Sequence, residues 1–264
     1  MKNFTTKNSR FDKIGKSVFV CLFWLIAWQC ACMAVDTPLL LPSPASVAKS
    51  LFNLIFTAVF WKSVFLSIAR IMGGFALATA TGVILGTLTA LSPFLSAVLS
   101  PAVKIIRATP VASFIILLLV WLKTNSVPLV TSFLMVLPVV WANIAQGIVS
   151  TDKNLLEMAK VYRFSKWTCA TRIYIPSILP FFMAASITGV GLAWKAGVAA
   201  EVLCLPKFSI GRRLNDAKLY LETPDLFAWT MAVILLSMAI EFIFVKTMNS
   251  LLPKLELIDK EAQP

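Results

Sequence analysis

The sequence contains no histidine, so the commonest general base and the commonest metal ligand are missing from any catalytic scheme. Charge is scarce: Asp, Glu, Lys and Arg together make up 14% of the chain, against about 25% in soluble domains. Acids are scarcer still, with 12 Asp+Glu against 24 Lys+Arg, a formal charge of +12. The cysteines are Cys21, Cys30, Cys32, Cys169 and Cys204, an odd number with three in one apolar run, which excludes a disulfide framework. Cys30-Ala-Cys32 has no second ligand pair to complete a metal site and reads as apolar helix filler. The phosphate-binding pattern G-x-x-x-x-G-K-[ST] is absent, so the chain does not hydrolyse ATP in that way. With no carboxylate cluster and no Ser/Lys pair, a membrane-embedded enzyme has little to be built from.

What fills the 264 residues is apolar: 59% are hydrophobic and the mean hydropathy is +0.85. A water-facing globule cannot hide that much apolar surface, and disorder and collagen-like chains are excluded. In such a chain, excess Lys and Arg mark cytoplasmic loops of a membrane protein rather than nucleic-acid binding.

Charge-free windows predict six transmembrane helices, at about 17–35, 63–91, 101–122, 127–149, 173–204 and 226–248. The implied organisation is a cytoplasmic segment 1–16, one transmembrane domain 17–250 and a cytoplasmic tail 251–264. Placing both termini in the cytoplasm puts twelve loop Lys and Arg inside and seven outside, in the direction of the positive-inside rule. The basic start and apolar run of 17–35 also resemble a signal peptide, with Ala31-Cys32-Met33-Ala34 as a cleavage-like site. The run has the length of a span, which favours a retained helix.

Two connections are long. In the outer loop 36–62, prolines suit an extended entry and Ser43 or Ser46 is placed to cap a short helix. In 150–176, Asp152 is an N-cap candidate, and Leu155, Met158, Ala159 and Tyr162 fall on one helical face. Ser165 caps a second short helix, and Pro176 and Pro180 mark the return to the membrane. Pattern alone leaves two readings: a ridge that docks into a partner, or a helix lying on lipid.

Within the spans, Lys195 is costly to expose to lipid, roughly 2.5–3.5 kcal/mol at mid-bilayer. It either meets an anion in a pathway or pairs with Glu201 or Glu241. Glu201, near the outer end, reads as gate or structure. Arg70 sits near a helix end, where it can snorkel. Gly73, Gly74, Gly82 and Gly86 indicate close helix packing, within one bundle or across a dimer seam. Pro110 is a kink candidate.

Several segments carry a resemblance. Leu155-Leu156-Glu157-Met158-Ala159, Ser165-Lys166-Trp167 and Arg172-Ile173-Tyr174-Ile175-Pro176 resemble the EAA loop of ABC-importer permeases. Leu40-Leu41-Pro42-Ser43-Pro44, Ser67-Ile68-Ala69-Arg70-Ile71-Met72-Gly73-Gly74, Arg107-Ala108-Thr109-Pro110 and Ala193-Trp194-Lys195-Ala196-Gly197-Val198-Ala199-Ala200-Glu201 follow in the family's order. Over about residues 38–250 the chain is similar to the binding-protein-dependent inner-membrane component family, nitrate/sulfonate/taurine type.

The resemblance implies an all-α integral membrane protein of the type I importer architecture, a bacterial inner-membrane permease with a cytoplasmic coupling helix. It implies no catalytic residues, metal or cofactor of its own. Its partners would be two ATPase subunits, a periplasmic or lipid-anchored solute-binding protein, a second copy of itself and membrane lipid, with no nucleic acid. Leu155, Leu156, Glu157, Met158, Ala159, Tyr162 and Arg163 would couple to the ATPase; Lys195, Glu201, Arg107 and Pro110 would belong to the pathway or gate; Gly74, Gly82 and Gly86 would pack helices. The solute would be small and anionic, with a thiamine-precursor pyrimidine as the alternative. A secondary transporter is the reading from another class, but neither an internal repeat nor paired intramembrane acids are seen. Arg163 departs from the family, which usually has Gly there; a turn that avoids the left-handed region, or a different hairpin geometry, is expected.

Overall fold

The computed structural model describes residues 9–260, with side-chain surroundings for 19, 20 and 22–250. The expected segment 1–16 and tail 251–264 therefore lie largely outside the described residues. The helices are α1 (Ser9–Val35), α2 (Pro44–Ile55), α3 (Ala58–Leu91), α4 (Pro93–Ala108), α5 (Val111–Trp121), α6 (Val127–Val149), α7 (Lys153–Val161), α8 (Lys166–Cys169), α9 (Ile175–Cys204), α10 (Ile210–Leu219) and α11 (Thr223–Lys260). A π-helical turn, Ala170–Tyr174, joins α8 to α9.

Among the described residues, four helical stretches are long and apolar enough to cross a membrane: Ala58–Leu91, Val127–Val149, Lys166–Cys204 and Thr223–Ser250. The bent pair α4–α5 makes five if it is one span. The described apolar stretch of α1, Leu22–Val35, is shorter than a span. The expected continuous third span, 101–122, is corrected: the chain turns through 107° between α4 and α5. Proline explains the break. Pro110 has no N–H to donate, and it pushes the preceding residue out of the α region. Thr109 accordingly sits at φ −80°, ψ 127°, and Pro110 at φ −59°, ψ 138°.

The helices gather into two compact units. One takes Met1–Thr57 with Leu214–Ala232. There Ser43 caps α2 by accepting from the Ser46 N–H at 3.2 Å, with Pro44 at the first turn. Trp28 stacks on Phe227 at 6.1 Å, and the Thr223 hydroxyl donates to the Leu39 carbonyl at 2.7 Å.

The other unit takes Ala58–Arg213 with Val233–Pro264, and its core is α3, α6 and α9. The buried face of α3 runs through Val64, Ser67, Ile71, Gly74, Ala78, Gly82, Gly86 and Thr89, a stripe at three- and four-residue spacing. Lipid offers no hydrophobic drive for helices to associate, so close contact and interhelical hydrogen bonds must supply it. A Cβ on Gly74 would collide with the Leu129 carbonyl oxygen. One on Gly82 would lie 2.9 Å from Val140 Cβ, and one on Gly86 2.8 Å from Ile144 Cβ and the Trp141 carbonyl oxygen. Gly197 brings α9 equally close, 2.5 Å from Ile71 Cγ1 and 2.7 Å from Ser132 Oγ. These glycines pack α3 against α6 and α9 of the same chain. Across the seams, Trp141 Nε1 donates to Thr89 Oγ1 at 2.7 Å and Ser132 Oγ to the Ala193 carbonyl at 3.1 Å.

Gly86→Val forces α3 off the α6 backbone and is expected to cost about 1–3 kcal/mol, read as a lower melting midpoint in detergent. Gly191→Ala is the matched control. Nothing lies within 4 Å of the position its Cβ would take, and the midpoint should hold or rise, since Ala is the better helix former by about 0.5–1 kcal/mol.

Candidate functional site

At one end of the larger unit stands the helical hairpin. Asp152 caps α7, its carboxylate accepting from the Asn154 N–H at 2.8 Å. Ser165 caps α8 by accepting from the Thr168 N–H at 3.1 Å. The stripe expected on α7 divides in two. Ala159 is buried and Leu156 half-buried, seating the helix on its own chain. Leu155, Met158 and Tyr162 face outward, Tyr162 with 71% exposed, as do Glu157 and Lys160. Val161 and Trp167 add exposed apolar surface at the tip.

Arg163 corrects the expectation of a turn that avoids the left-handed region. Its φ is +52°. The Phe164 N–H donates to the Ala159 carbonyl at 2.8 Å and the Arg163 N–H to the Lys160 carbonyl at 3.1 Å. This is the paired-bond helix ending that glycine normally closes, here with a side chain at the position where a Cβ is strained.

From α8 the chain runs through the π-turn directly into α9, helical from Lys166 to Cys204. Near the far end of α9 lies a buried polar cluster. Glu201 is fully buried. Its carboxylate accepts from Ser67 Oγ at 2.7 Å and from the Gly211 N–H at 3.3 Å, and pairs with Arg70 at 3.4 Å. Ser67 Oγ in turn accepts from the Ile210 N–H at 3.0 Å. Arg70 also donates to the Lys207 carbonyl at 2.9 Å and the Phe208 carbonyl at 3.4 Å. Glu201 thus places a negative charge against the first N–H groups of α10, where the helix dipole favours it. A Cβ at Gly211 would overlap Glu201, so the approach requires glycine. Arg70 does not snorkel; its guanidinium turns inward to this cluster.

Lys195 lies elsewhere. It is exposed, on a face of α9 it shares with Ala184, Thr188, Gly191 and Ala199. Among the described residues of this chain it forms no ion pair with Glu201 or Glu241; Glu201 is paired with Arg70. Arg107, in the last turn of α4, donates to the Pro138 carbonyl of α6 at 2.7 Å, and Pro110 sits at the α4–α5 corner. Lys195, Arg107 and Glu201 are therefore not gathered into one site. The roles of Ser67, Arg70 and Gly211 were not singled out from sequence; the signal was their place in the Ser67-Ile68-Ala69-Arg70 run and one residue into α10.

The described residues form helices with several apolar spans, a hairpin at one end of the larger unit and a buried charge cluster at the other. Residues 78–255 match the family described as the binding-protein-dependent transport system inner membrane component, and the chain belongs to that family. It is 25% identical over 223 residues to a probable ABC transporter permease of Brucella melitensis, covering 83% of this chain and 89% of that one. It is 33% identical over 141 residues to the nitrate import permease of Synechococcus elongatus, covering 53% and 50%. It is 23% identical over 236 residues to the taurine transport system permease of Escherichia coli, covering 86% and 84%. A crystal structure of an amino acid ABC transporter with histidines shares the fold, with a TM-score of 0.55 at 17% identity over 80% of this chain and 97% of that one. The protein is a membrane-spanning ABC transporter permease of the import class.

Two outcomes follow from the geometry. Arg163→Gly removes the left-handed strain and should stabilise the hairpin by about 0.5–1 kcal/mol. Hydrogen exchange at residues 159–164 should slow by roughly threefold or more. Glu201→Ala leaves Arg70, Ser67 and the Gly211 N–H without their acceptor and should destabilise by about 3 kcal/mol. A thermal melt followed by size exclusion reads that loss.

Proposed function

We propose that two copies of this chain form the translocation pathway of a bacterial inner-membrane importer for a small anionic solute. Two separate ATPase subunits drive it, and a solute-binding protein delivers the solute. The chain performs no catalysis itself. Both termini face the cytoplasm, and the full chain crosses the membrane six times, α1 being the first crossing.

The observation that carries this reading is the α7 hairpin. Ala159 is buried within the chain while Leu155, Met158 and Tyr162 stay exposed. A short helix held at both ends by α6 and α9 is a rigid peg, and an exposed apolar ridge on such a peg fits a groove on a partner. Closure of the ATPases on ATP would push the peg. Because α8 continues into α9, that push would travel along one continuous helix to Lys195 and on to Glu201. Both spans are packed without slack at the glycine contacts, so the displacement cannot be absorbed locally.

The anionic solute rests on Lys195. A cation exposed on one face of a membrane span is disfavoured against lipid. A water-filled path between two copies relieves that cost and draws an anion to it. Relatives named for nitrate, taurine and bicarbonate transport agree with small charged solutes.

Met158→Glu and Tyr162→Glu should weaken association with the ATPase by about 2 kcal/mol, roughly thirtyfold. The readout is co-purification from membranes together with ATP-dependent uptake into proteoliposomes carrying the binding protein. Undiminished association and uptake would sink the peg. Lys195→Met should lower anion uptake and Lys195→Arg restore it; equal uptake by all three forms would remove Lys195 from the path.

A further inference from the structure

Helix α2 stands in the chain between the apolar run of α1 and the span α3. Its 12 residues make about 18 Å of helix, too short to cross a hydrocarbon core of roughly 30 Å. Its start is fixed within its own unit: Pro42 is fully buried, and the Cys32 thiol of α1 donates to the Leu41 carbonyl at 3.2 Å. Its end is tethered by the chain, since only Phe56 and Thr57 separate α2 from α3. At roughly 3.3–3.6 Å per residue, that link reaches about 11 Å at most. The first turns of α3 expose Trp61 and Phe65, the aromatic surface that marks a membrane boundary. Lipid is therefore within reach of the end of α2.

Taken round the helix at about 100° per residue, α2 has three stripes. Val47 is buried and Leu51 and Leu54 are half-buried, which seats one stripe in the unit. Ala45, Ala48, Phe52 and Phe56 form a second stripe that is exposed, Phe52 by 64% and Phe56 by 74%. Their rings meet edge to face with centroids 4.9 Å apart, so they make one ledge. Ser46, Lys49, Ser50 and Asn53 form the third stripe and include every polar side chain of the helix. The two apolar stripes adjoin, so the apolar arc spans roughly 200°, about twice the width that packing on one neighbour requires. The unit covers one part of that arc and leaves the other open. The open part ends at Lys49, which lies between Phe56 and Asn53 around the helix.

Each stripe suits a different medium. The first is against protein. The third suits water: Lys49 and Asn53 are exposed, and the Ser46 hydroxyl is satisfied by donating to the Ser43 carbonyl at 2.8 Å. The second has no hydrogen-bonding side chain and is disfavoured in water. A helix too short to span, tethered to a span, with a polar stripe beside an open apolar one, has the pattern of a helix lying in a membrane interface. We propose that α2 lies along the lipid–water boundary, with Phe52 and Phe56 among the acyl chains. Lys49 then stands at the level of the headgroup phosphates, where a cation at the rim of an apolar face is favoured. Asn53 faces water. The occupant of the open stripe is lipid, rather than a second copy of the chain or a soluble partner. The six-crossing topology assigns the outer leaflet; the embedding itself does not depend on the import reading.

The experiment uses the full-length chain, its native cysteines replaced by alanine, in nanodiscs of phosphatidylethanolamine and phosphatidylglycerol. Spin labels are placed singly through Val47→Cys, Lys49→Cys, Phe52→Cys, Asn53→Cys and Phe56→Cys. Collision rates are then read with oxygen, which concentrates in hydrocarbon, and with a polar nickel chelate, which stays in water. The oxygen-to-nickel ratio at 52 and 56 should exceed that at 49 and 53 by roughly tenfold or more, since apolar and polar reagents partition oppositely. Position 47 should be shielded from both. Nickel collisions at 52 and 56 equal to those at 53 would place the stripe in water and overturn the proposal. Shielding from both reagents at 52 and 56, as at 47, would show a protein cover and overturn it equally. A second measurement needs no substitution. The unaltered protein is irradiated in discs doped with a phosphatidylcholine carrying a diazirine near the carboxyl end of one acyl chain. Label on Phe52 or Phe56 is expected in peptide mass spectra; its absence throughout 44–56 would overturn the assignment. No ATPase, binding protein or ATP is present, so the result stands or falls apart from the import reading.

Discussion

Three helices meet backbone to backbone in the larger unit because four positions carry no Cβ. In water the burial of apolar side chains would hold such a bundle together almost regardless of detail. In hydrocarbon that force is absent between helices, and contact distance decides. Gly74, Gly82 and Gly86 let α3 reach α6, and Gly197 lets α9 reach α3. The seams are then close enough for Trp141 to find Thr89 and for Ser132 to find the Ala193 carbonyl. Everything else in the unit is hung on this triangle: the hairpin leaves from α6 and returns to α9, and the Glu201 cluster joins α9 to α3.

The two ends of α9 are built from different chemistry. One end is a hairpin with caps at Asp152 and Ser165 and much of its apolar surface exposed. The other is a buried carboxylate whose acceptor positions are filled by a hydroxyl, a backbone N–H and a guanidinium. A loosely covered end can take up a partner, whereas a fully satisfied end resists rearrangement, since breaking any one contact strands a buried group. Between them Lys195 is exposed.

Much of this was legible in the amino-acid order, and the rest failed for identifiable reasons. Helix boundaries followed charge-free windows except at 101–122, where the Pro110 corner breaks the expected span, and caps at Ser43, Asp152 and Ser165 followed residue type, because both are local. The spacing of the glycines announced a close seam, but spacing carries no information about which helix lies opposite. The α7 stripe had the right period, yet which of its residues turn inward depends on neighbours far along the chain; Ala159 does and Met158 does not. Arg70 read as a snorkelling residue because its partner, Glu201, is 131 positions away. Arg163 was misread because a left-handed residue is expected to be glycine or asparagine, whereas here two backbone hydrogen bonds hold an arginine there.

The right-angled corner at Thr109 and Pro110 has a mechanical consequence. Its shape is written into covalent geometry, so straightening it would cost about 3 kcal/mol or more, a bias of roughly a hundredfold at equilibrium. Helix α4 is tied to α6 through Arg107 and the Pro138 carbonyl, so the corner fixes the direction in which α5 leaves a segment already anchored on the core.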